Sequence, residues 1–516
     1  MTIQRLWADT VRRHAGLPAL GWAGESAWTF CETDAKVRAA QIRFAARALP
    51  PGAKIGLWST NQPGWGVSYL AIVTGPWTAV PFLSDWSARE VANALIHGGA
   101  SLLVVSRALA EVWKTWTSSE GSDLSRLPVE ILEDLIEADA VPARIPEPES
   151  SALAALIYTS GTTGAPKGVM LTQDNIASNV LAAAPVVRFR PGERMLSVLP
   201  LAHTYECSMG FLVPMHAGVQ VSYLAKPASA AVLLPALAEV RPHAMLTVPL
   251  FIEKLYRQRV APALHHGVLG ALSRVPGIGL LLARAAGRKI RRLFGGRLRF
   301  FGVGGAPLAP EVARFLHRSG FPYAVGYGLT ETSPLIAGHL KEHLYTTGRV
   351  LAGVTVRIAE PRNEQGAGEI QVRGPNVMAG YYKDEARTRE VMTDGWFRTG
   401  DLGSFDRSGH LRIRGRLKNV ILGPSGENIY PEAIEALINE DEHVVESLVI
   451  QRGRDIVAKV VLGEGIVQER HSDYLAALRA HVNRHLARFS RLSLCEAHDR
   501  PFEKTATLKI KRYLYV

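Results

Sequence analysis

Between Lys54 and Val105 the chain alternates short apolar runs with helix-like segments: a strand pattern at 55–58, a helix-like one at 65–73, a strand at 79–82, a helix at 88–97 and a strand at 102–105. Alternation of this kind predicts an α/β fold, a parallel sheet flanked by helices. The stretch 118–149, rich in Ser, Glu and Pro, reads as a connector. A second round begins with the strand-like run 155–158, and strand and helix patterns continue to about residue 358. Residues 366–411 are dense in Gly, Asp, Arg and β-formers and read as a small β-rich lobe of antiparallel strands. A compact charged joint follows at 415–418. The remaining hundred or so residues have the length of a small α+β domain, with helical patterns at 431–439 and 475–488 and strands near 447–450 and 458–462. The expected division is a large N-terminal domain 1–414 with parallel-sheet subdomains, the joint 415–418 and a small C-terminal domain 419–516.

At 516 residues the chain exceeds the size at which one hydrophobic core keeps growing, so more than one domain is expected. Its 47% apolar and 21% charged residues are those of an ordinary folded protein. Cys31, Cys207 and Cys495 lie far apart, which gives neither a zinc-ligand set nor a disulfide framework and fits a reducing, cytoplasmic compartment. The first residues lack the apolar block of a secretory signal, and the most apolar long stretch, 267–286, is interrupted by Arg274 and Arg284. A net charge of +12 points to anionic partners without choosing among them. Much of the excess sits in Arg284, Arg288, Lys289, Arg291, Arg292, Arg297 and Arg299, with no acidic residue between the first and the last.

The segment from Tyr158 to Gly168 sets Thr159, Ser160, Gly161, Thr162, Thr163, Gly164 and Lys167 directly after a buried-looking strand. Small residues let backbone N–H groups approach an anion, hydroxyls donate further bonds and the lysine supplies charge, so the segment reads as a polyphosphate cradle. A Walker-type P-loop is excluded. Pro166 stands where that motif has Gly before the lysine, Gly168 where it has Ser or Thr for magnesium, and the β-formers Val169 and Met170 follow, with a helix plausible only after the N-cap Thr172.

The loop resembles, almost residue for residue, the signature of the adenylate-forming superfamily of acyl-CoA synthetases, nonribosomal adenylation domains and beetle luciferases. Five further segments match in the expected order: Phe301-Gly302-Val303-Gly304-Gly305-Ala306-Pro307-Leu308, Gly326-Tyr327-Gly328-Leu329-Thr330-Glu331-Thr332, Asp394-Gly395-Trp396-Phe397-Arg398-Thr399-Gly400-Asp401, Gly415-Arg416-Leu417-Lys418-Asn419 and Lys504-Thr505-Ala506-Thr507-Leu508-Lys509. The resemblance implies ATP- and Mg2+-dependent activation of a carboxylic acid to acyl-AMP with release of pyrophosphate, then transfer to a thiol. Catalysis of this kind is mainly positioning and charge stabilisation, and the protein needs no nucleophile of its own.

The resemblance also implies roles. Thr159, Ser160, Thr162, Thr163 and Lys167, with the Gly161 backbone, would hold the β- and γ-phosphates; Thr330 would bond the α-phosphate and Glu331 would help hold magnesium. Tyr327, with Gly328 beside it, would stack near adenine, and Gly304, Gly305 and Ala306 would form the opposite wall. Asp401 would hold the ribose hydroxyls, assisted by Arg416. Lys509 would bridge the carboxylate and the α-phosphate in the first step. Its context reads Thr-Leu-Lys rather than Ser-Gly-Lys, similar to long-chain acyl-CoA synthetases, and Lys504 and Lys511 are its neighbouring cations. The C-terminal domain would then turn about Lys418 and bring in a loop around Gly426 that lines the thiol tunnel. Asn419 stands where Asp or Glu is common.

The segment Leu199-Pro200-Leu201-Ala202-His203-Thr204-Tyr205-Glu206 is similar to one that closes over the carboxylate in long-chain acyl-CoA synthetases, and His203 would border the acyl pocket. The apolar run Gly210, Phe211, Leu212 and Val213 suits a fatty chain. The expected acid is therefore a medium- or long-chain fatty acid and the expected acceptor coenzyme A. The rival acceptor is an acyl carrier protein, and the rival of another class is a catalytically silent acyl or nucleotide sensor, which the presence of Lys167, Glu331, Asp401, Arg416 and Lys509 speaks against. Nucleic acid is not an expected partner. In the basic stretch Leu282, Ala286, Ile290, Leu293 and Phe294 form a helical apolar stripe, which either packs inside the large domain or lies on an anionic bilayer.

Overall fold

The computed structural model describes residues 1–120, 123–137, 145–159, 167–265, 267–273, 275–340, 344, 346–360, 366–422, 427–441, 443–453, 455–463, 466–504 and 510–515. Among them, seven strands form one sheet in the order Gly380–Tyr381, Lys167–Thr172, Leu153–Thr159, Thr78–Phe82, Lys54–Trp58, Ala100–Val105 and Val129–Ile131. From Leu153–Thr159 to Val129–Ile131 the pairing is parallel, as the alternating pattern predicts. The stretch expected to be a connector, 118–149, instead supplies the edge strand Val129–Ile131 and the helix Leu132–Glu137. Three strand residues interrupted by Glu130 carry too short an apolar run to be recognised; pairing with Leu103, Val104 and Val105 makes them a strand.

A second sheet of nine described strands runs Arg349–Val350, Leu335–Leu340, Tyr323–Gly328, Phe300–Val303, Ala244–Thr247, Arg194–Ser197, Gln220–Tyr223, Pro18–Trp22 and Trp28–Thr29. Its six central members are parallel and its two ends are antiparallel. The helix Pro63–Val73 touches strands of both sheets, and each of its residues is buried. An apolar helix with no polar face is stable only when enclosed in this way. Its Trp65 stacks on Tyr69 at 5.0 Å between ring centroids, and Phe211 meets both rings edge-on.

The β-rich lobe is an antiparallel sheet of Thr355–Ile358, Gly368–Arg373, Trp396–Phe405, Met392–Thr393 and Leu411–Arg416. Beyond the joint, Val444–Arg452, Asp455–Leu462 and Leu494–Ala497 form a sheet on which the helices Pro431–Ile438 and His471–Asn483 close a core of Ile434, Ile438, Val449, Val460, Leu475, Leu478 and Val482. The second helix begins and ends earlier than the expected 475–488. Asn483 stops it: its side chain accepts from the Leu492 N–H and donates to the Leu492 carbonyl, turning the chain toward the third strand.

The basic stretch forms the helix Pro276–Leu293, with Ala283, Gly287, Ile290 and Phe294 buried and Arg284, Arg288, Lys289, Arg291 and Arg292 exposed. Phe294 meets Phe301 and Phe321 at 5.3 and 6.2 Å, so the stripe packs inward against the nine-stranded sheet, although Leu293 itself is exposed. Among the described residues no helix is long and apolar enough to cross a membrane.

Candidate active site

Thr159 and Lys167 face each other across an antiparallel ladder, Thr159 ending one strand and Lys167 opening the next. The hydroxyl-rich loop therefore joins a β-hairpin. The helix Gln173–Val187 starts only after Thr172, whose hydroxyl accepts from the Asn175 N–H while the Asn175 side chain accepts from the Thr172 N–H. A P-loop lysine would stand at a helix N-terminus; Lys167 does not, so the predicted exclusion of that fold holds. Ser160, Gly161, Thr162 and Thr163, together with Gly426 and Lys509, lie outside the described residues.

Lys167 is held over a ring that the sequence reading missed. Gly380–Tyr381 pairs with the strand that Lys167 opens, which puts the ammonium 5.2 Å from the centre of the Tyr381 ring. The Tyr381 hydroxyl donates to Glu331 Oε1 at 2.9 Å, and its backbone N–H donates to Thr388 Oγ1 at 2.9 Å. Gly380 has φ +141 and a Cβ there would lie 2.8 Å from Thr388, so the residue before Tyr381 has to be glycine for the two chains to approach. Desolvation lowers the Lys167 pKa; Glu331 opposes this, and Arg387, Lys418 and Arg416 add to the lowering. Lys167 therefore feels Glu331 and the cations Arg387, Lys418 and Arg416 together.

Tyr327 and Asp401 meet at the other side of this cluster. Tyr323–Gly328 carries Tyr327 to the sheet's carboxyl edge, where its hydroxyl donates to Asp401 Oδ2 at 2.8 Å. Arg416, the cross-strand partner of Asp401, donates from Nε to Oδ1 at 2.7 Å. Burial, with Asp401 second, drives the Tyr327 phenol pKa well up, while the Asp401 charge raises that of Arg416. Asp401 is buried, and each carboxylate oxygen keeps a second acceptor site for a hydroxyl. Gly304 does not leave open space: a Cβ there would lie 2.8 Å from the Tyr205 ring. Gly305, at φ +88 and exposed, and the exposed Ala306 are the part of that segment with room beside them. Gly328 lies so close to the Pro334 carbonyl that a side chain would collide with it.

The segment 199–206 reaches the same place. Thr204 Oγ1 lies 3.4 Å from Thr330 Oγ1, and the next residue, Glu331, gives its carbonyl to the Met378 N–H. Asn61, which sequence reading also missed, clamps the segment by donating to the Leu199 carbonyl and accepting from the Leu201 N–H. His203 Nδ1 accepts from the Tyr205 N–H, which leaves Nε2 to carry the hydrogen of the neutral ring. A π-helix, Glu206–Leu212, follows and is wholly buried. Phe211 is packed against Trp65 and Tyr69, so this part of the run expected to suit a fatty chain is core. Burial pushes the Glu206 carboxyl up to about 8 against the hydrogen bond from Ser197 Oγ at 2.6 Å.

Lys418 lies exposed in the short turn Leu417–Asn419. Asn419 donates to Glu432 Oε1 at 2.6 Å, joining that turn to the first helix of the C-terminal segment. An Asp at 419 would face that carboxylate with like charge, which is why the amide suits this position. The two lysines nearest Lys509 in the sequence are ion-paired: Lys504 with Glu446 at 2.5 Å and Lys511 with Glu503 at 3.8 Å.

The described site residues suit a nucleoside polyphosphate: clustered cations, hydroxyls at their edge, and a buried carboxylate with free lone pairs. A single carboxylate, Glu331, beside phosphate oxygens is a donor set that Mg2+ accepts. Comparison with known proteins agrees. The long-chain-fatty-acid–CoA ligase FadD15 of Mycobacterium bovis is 31% identical over 480 residues, covering 84% of this chain and 76% of its own. The long-chain-fatty-acid–CoA ligase heimdall of Drosophila melanogaster is 31% identical over 519 residues, with 87% and 74% covered. The crystal structure of ATP-bound MatB from Rhodopseudomonas palustris has the same fold, with a TM-score of 0.81 at 24% identity over 100% of this chain and 98% of that one. The AMP-bound O-succinylbenzoate coenzyme A synthetase MenE of Bacillus subtilis gives 0.78 at 22%, with 99% and 97% covered. The family profile described as AMP-binding enzyme matches residues 7–382, and the chain belongs to that family.

Proposed function

We propose that this protein is an acid–thiol ligase that joins a medium- or long-chain fatty acid to coenzyme A at the expense of ATP. A carboxylate oxygen attacks the α-phosphorus, the bond to the bridging oxygen of pyrophosphate breaks, and pyrophosphate leaves with that electron pair. The coenzyme A thiolate then attacks the acyl carbon and AMP departs. The observation that carries the reading is the seating of Lys167 over the Tyr381 ring, whose hydroxyl holds Glu331, together with a buried Asp401 held by Arg416 and Tyr327. A cation, a carboxylate able to take Mg2+ and a buried carboxylate with free lone pairs are what a nucleoside polyphosphate requires.

In this reading Lys167 and the loop from Thr159 to Thr163 hold the β- and γ-phosphates, Thr330 meets the α-phosphate and Glu331 is the protein ligand of Mg2+. Asp401 accepts the ribose hydroxyls, and Tyr327 with Gly305 and Ala306 borders the base. His203 stands at the acyl carboxylate. Residues 419–516 act as a mobile domain on the hinge 415–418, presenting Lys509 in the first step and the loop of Gly426 in the second. The similarity to long-chain-fatty-acid–CoA ligases supports the choice of acid and of coenzyme A over a carrier protein.

Pyrophosphate release measured with ATP, Mg2+ and a panel of acids tests the first step; adding coenzyme A or a holo acyl carrier protein identifies the acceptor. Absence of acid-dependent release would leave the sensor reading. Lys509→Ala should suppress adenylate formation while sparing thiol transfer from supplied acyl-adenylate, and equal loss in both would rule out the two-state domain scheme.

A further inference from the structure

From Leu255 to Pro310 the sequence holds ten Lys and Arg residues and no Asp or Glu. The same region carries a group of exposed aliphatic side chains: Leu281 is 63% exposed, Val275 47%, Ile278 38% and Leu272 37%. On the helix Pro276–Leu293 the outward strip reads Ile278, Leu281 and Ala285 in its first half and Arg288, Lys289 and Arg292 in its second, all exposed. From Leu281 to Arg292 is roughly 16 Å along the axis at 1.5 Å per residue. Among the described residues Arg288, Lys289 and Arg292 form no ion pair, whereas Arg257 pairs with Glu311 and Arg299 with Glu193.

The polarity of this helix is set by topology. Ala244–Thr247 and Phe300–Val303 are parallel neighbours, so the chain leaves the first at its carboxyl end and enters the second at its amino end. Pro310–Ser319 makes the same return before Tyr323–Gly328. Gly287 abuts its last residue, Ser319, close enough that a Cβ would lie 2.7 Å from the serine side chain. Residues after Gly287 therefore lie toward the amino edge. Ile278 and Leu281 lie toward the carboxyl edge, where Tyr327 and Thr330 stand.

We propose that this face docks on an anionic bilayer, with the apolar first half of the helix tip seated among acyl chains and Arg288, Lys289 and Arg292 at the level of the phosphates. The exposed aliphatic groups offer no hydrogen bonds to a partner, and the cations have no carboxylate neighbours in sequence to neutralise them; apolar contact plus charge complementarity is what an anionic lipid surface rewards. Docking by this face turns the carboxyl edge of the sheet toward the lipid, so an acid dissolved in the bilayer leaves it beside the site. That purpose rests on the fatty-acid reading, but the docking itself does not.

Flotation of the full chain with phosphatidylcholine vesicles, with and without phosphatidylglycerol, tests the proposal. Binding is expected on the anionic vesicles alone, and high salt should release it. Leu281→Glu and, separately, the pair Arg288→Glu with Arg292→Glu should each weaken it about tenfold or more. Both variants should keep pyrophosphate release with a water-soluble acid and lose it selectively with an acid supplied in anionic vesicles. Equal flotation on both vesicles, none on either, or variants that float like the parent would overturn the proposal. So would retention by an acidic carrier protein in place of vesicles. If the parent floats as expected but releases no pyrophosphate with any acid, docking stands and the ligase reading falls.

Discussion

Asp401 and Glu206 are both buried carboxylates, and their surroundings answer the cost of burial in opposite ways. Asp401 receives the Arg416 guanidinium on one oxygen and the Tyr327 hydroxyl on the other. Glu206 receives the Ser197 hydroxyl on Oε1, while Oε2 has no hydrogen-bond partner among the described residues, and its pKa rises to about 8. One environment meets the charge with a cation and a phenol. The other suppresses charge, in a buried π-helix that also carries Cys207 and Phe211, with Tyr223 close by. Burial alone does not mark a carboxylate as functional; the groups that face it do.

The contrast is broken most severely at Asp401. Asp401→Ala should lower kcat/KM for ATP roughly 10²–10³-fold, the range for losing one organised polar contact in a site. Steady-state pyrophosphate release checks this, and an effect no larger than that of Glu206→Gln would erase the distinction.

At Glu206 the expected signature is in stability. Its folded pKa lies above the unfolded value, so the folded state retains a proton that the unfolded state gives up. Stability therefore falls as pH rises from the unfolded pKa, near 4.5, toward about 8, and levels off above that. The slope from this one group is at most about 1.4 kcal/mol per pH unit. Denaturant unfolding of Glu206→Gln across that window should show the slope reduced by this amount; an unchanged slope would mean that the carboxyl ionises freely.

Glu331 is the intermediate case, held by a phenol rather than by a guanidinium. Tyr381→Phe removes that bond while keeping the ring beneath Lys167. The half-saturating Mg2+ concentration should rise about tenfold, as expected for a hydrogen bond to a charged group, with KM for the acid little changed. The smallest effect is expected at Glu432, which an amide meets. Asn419→Asp places two carboxylates together at a partly exposed turn, worth less than about 1 kcal/mol. The two half-reactions should shift relative to each other by no more than about fivefold, and raised salt should lessen the shift.

Much of this was legible in the chain. The alternation 55–105 gave a parallel sheet because its strands are short, apolar and separated by helical lengths. Thr172 could be read as a cap because its hydroxyl acts on its own neighbourhood. Tyr381 and Asn61 were not legible: each acts on a residue more than a hundred positions away, and neither has a local pattern that distinguishes it from a packing tyrosine or a loop asparagine. A Gly-Tyr pair within the β-rich stretch 366–411 was the available signal for the first. The π-helix was equally hidden, since seven buried residues fit α-periodicity as well. Residues 160–166 of the hydroxyl-rich loop, Gly426 and Lys509 fall outside the described residues.

The ladder that seats Arg416 opposite Asp401 has a mechanical corollary. Any swing of residues 419–516 that leaves that pair intact must be taken up by the backbone torsions of Leu417 and Lys418. In the proposed domain scheme Arg416 is then the fixed end of the bearing, and its strand partner Asp401 marks where rotation begins.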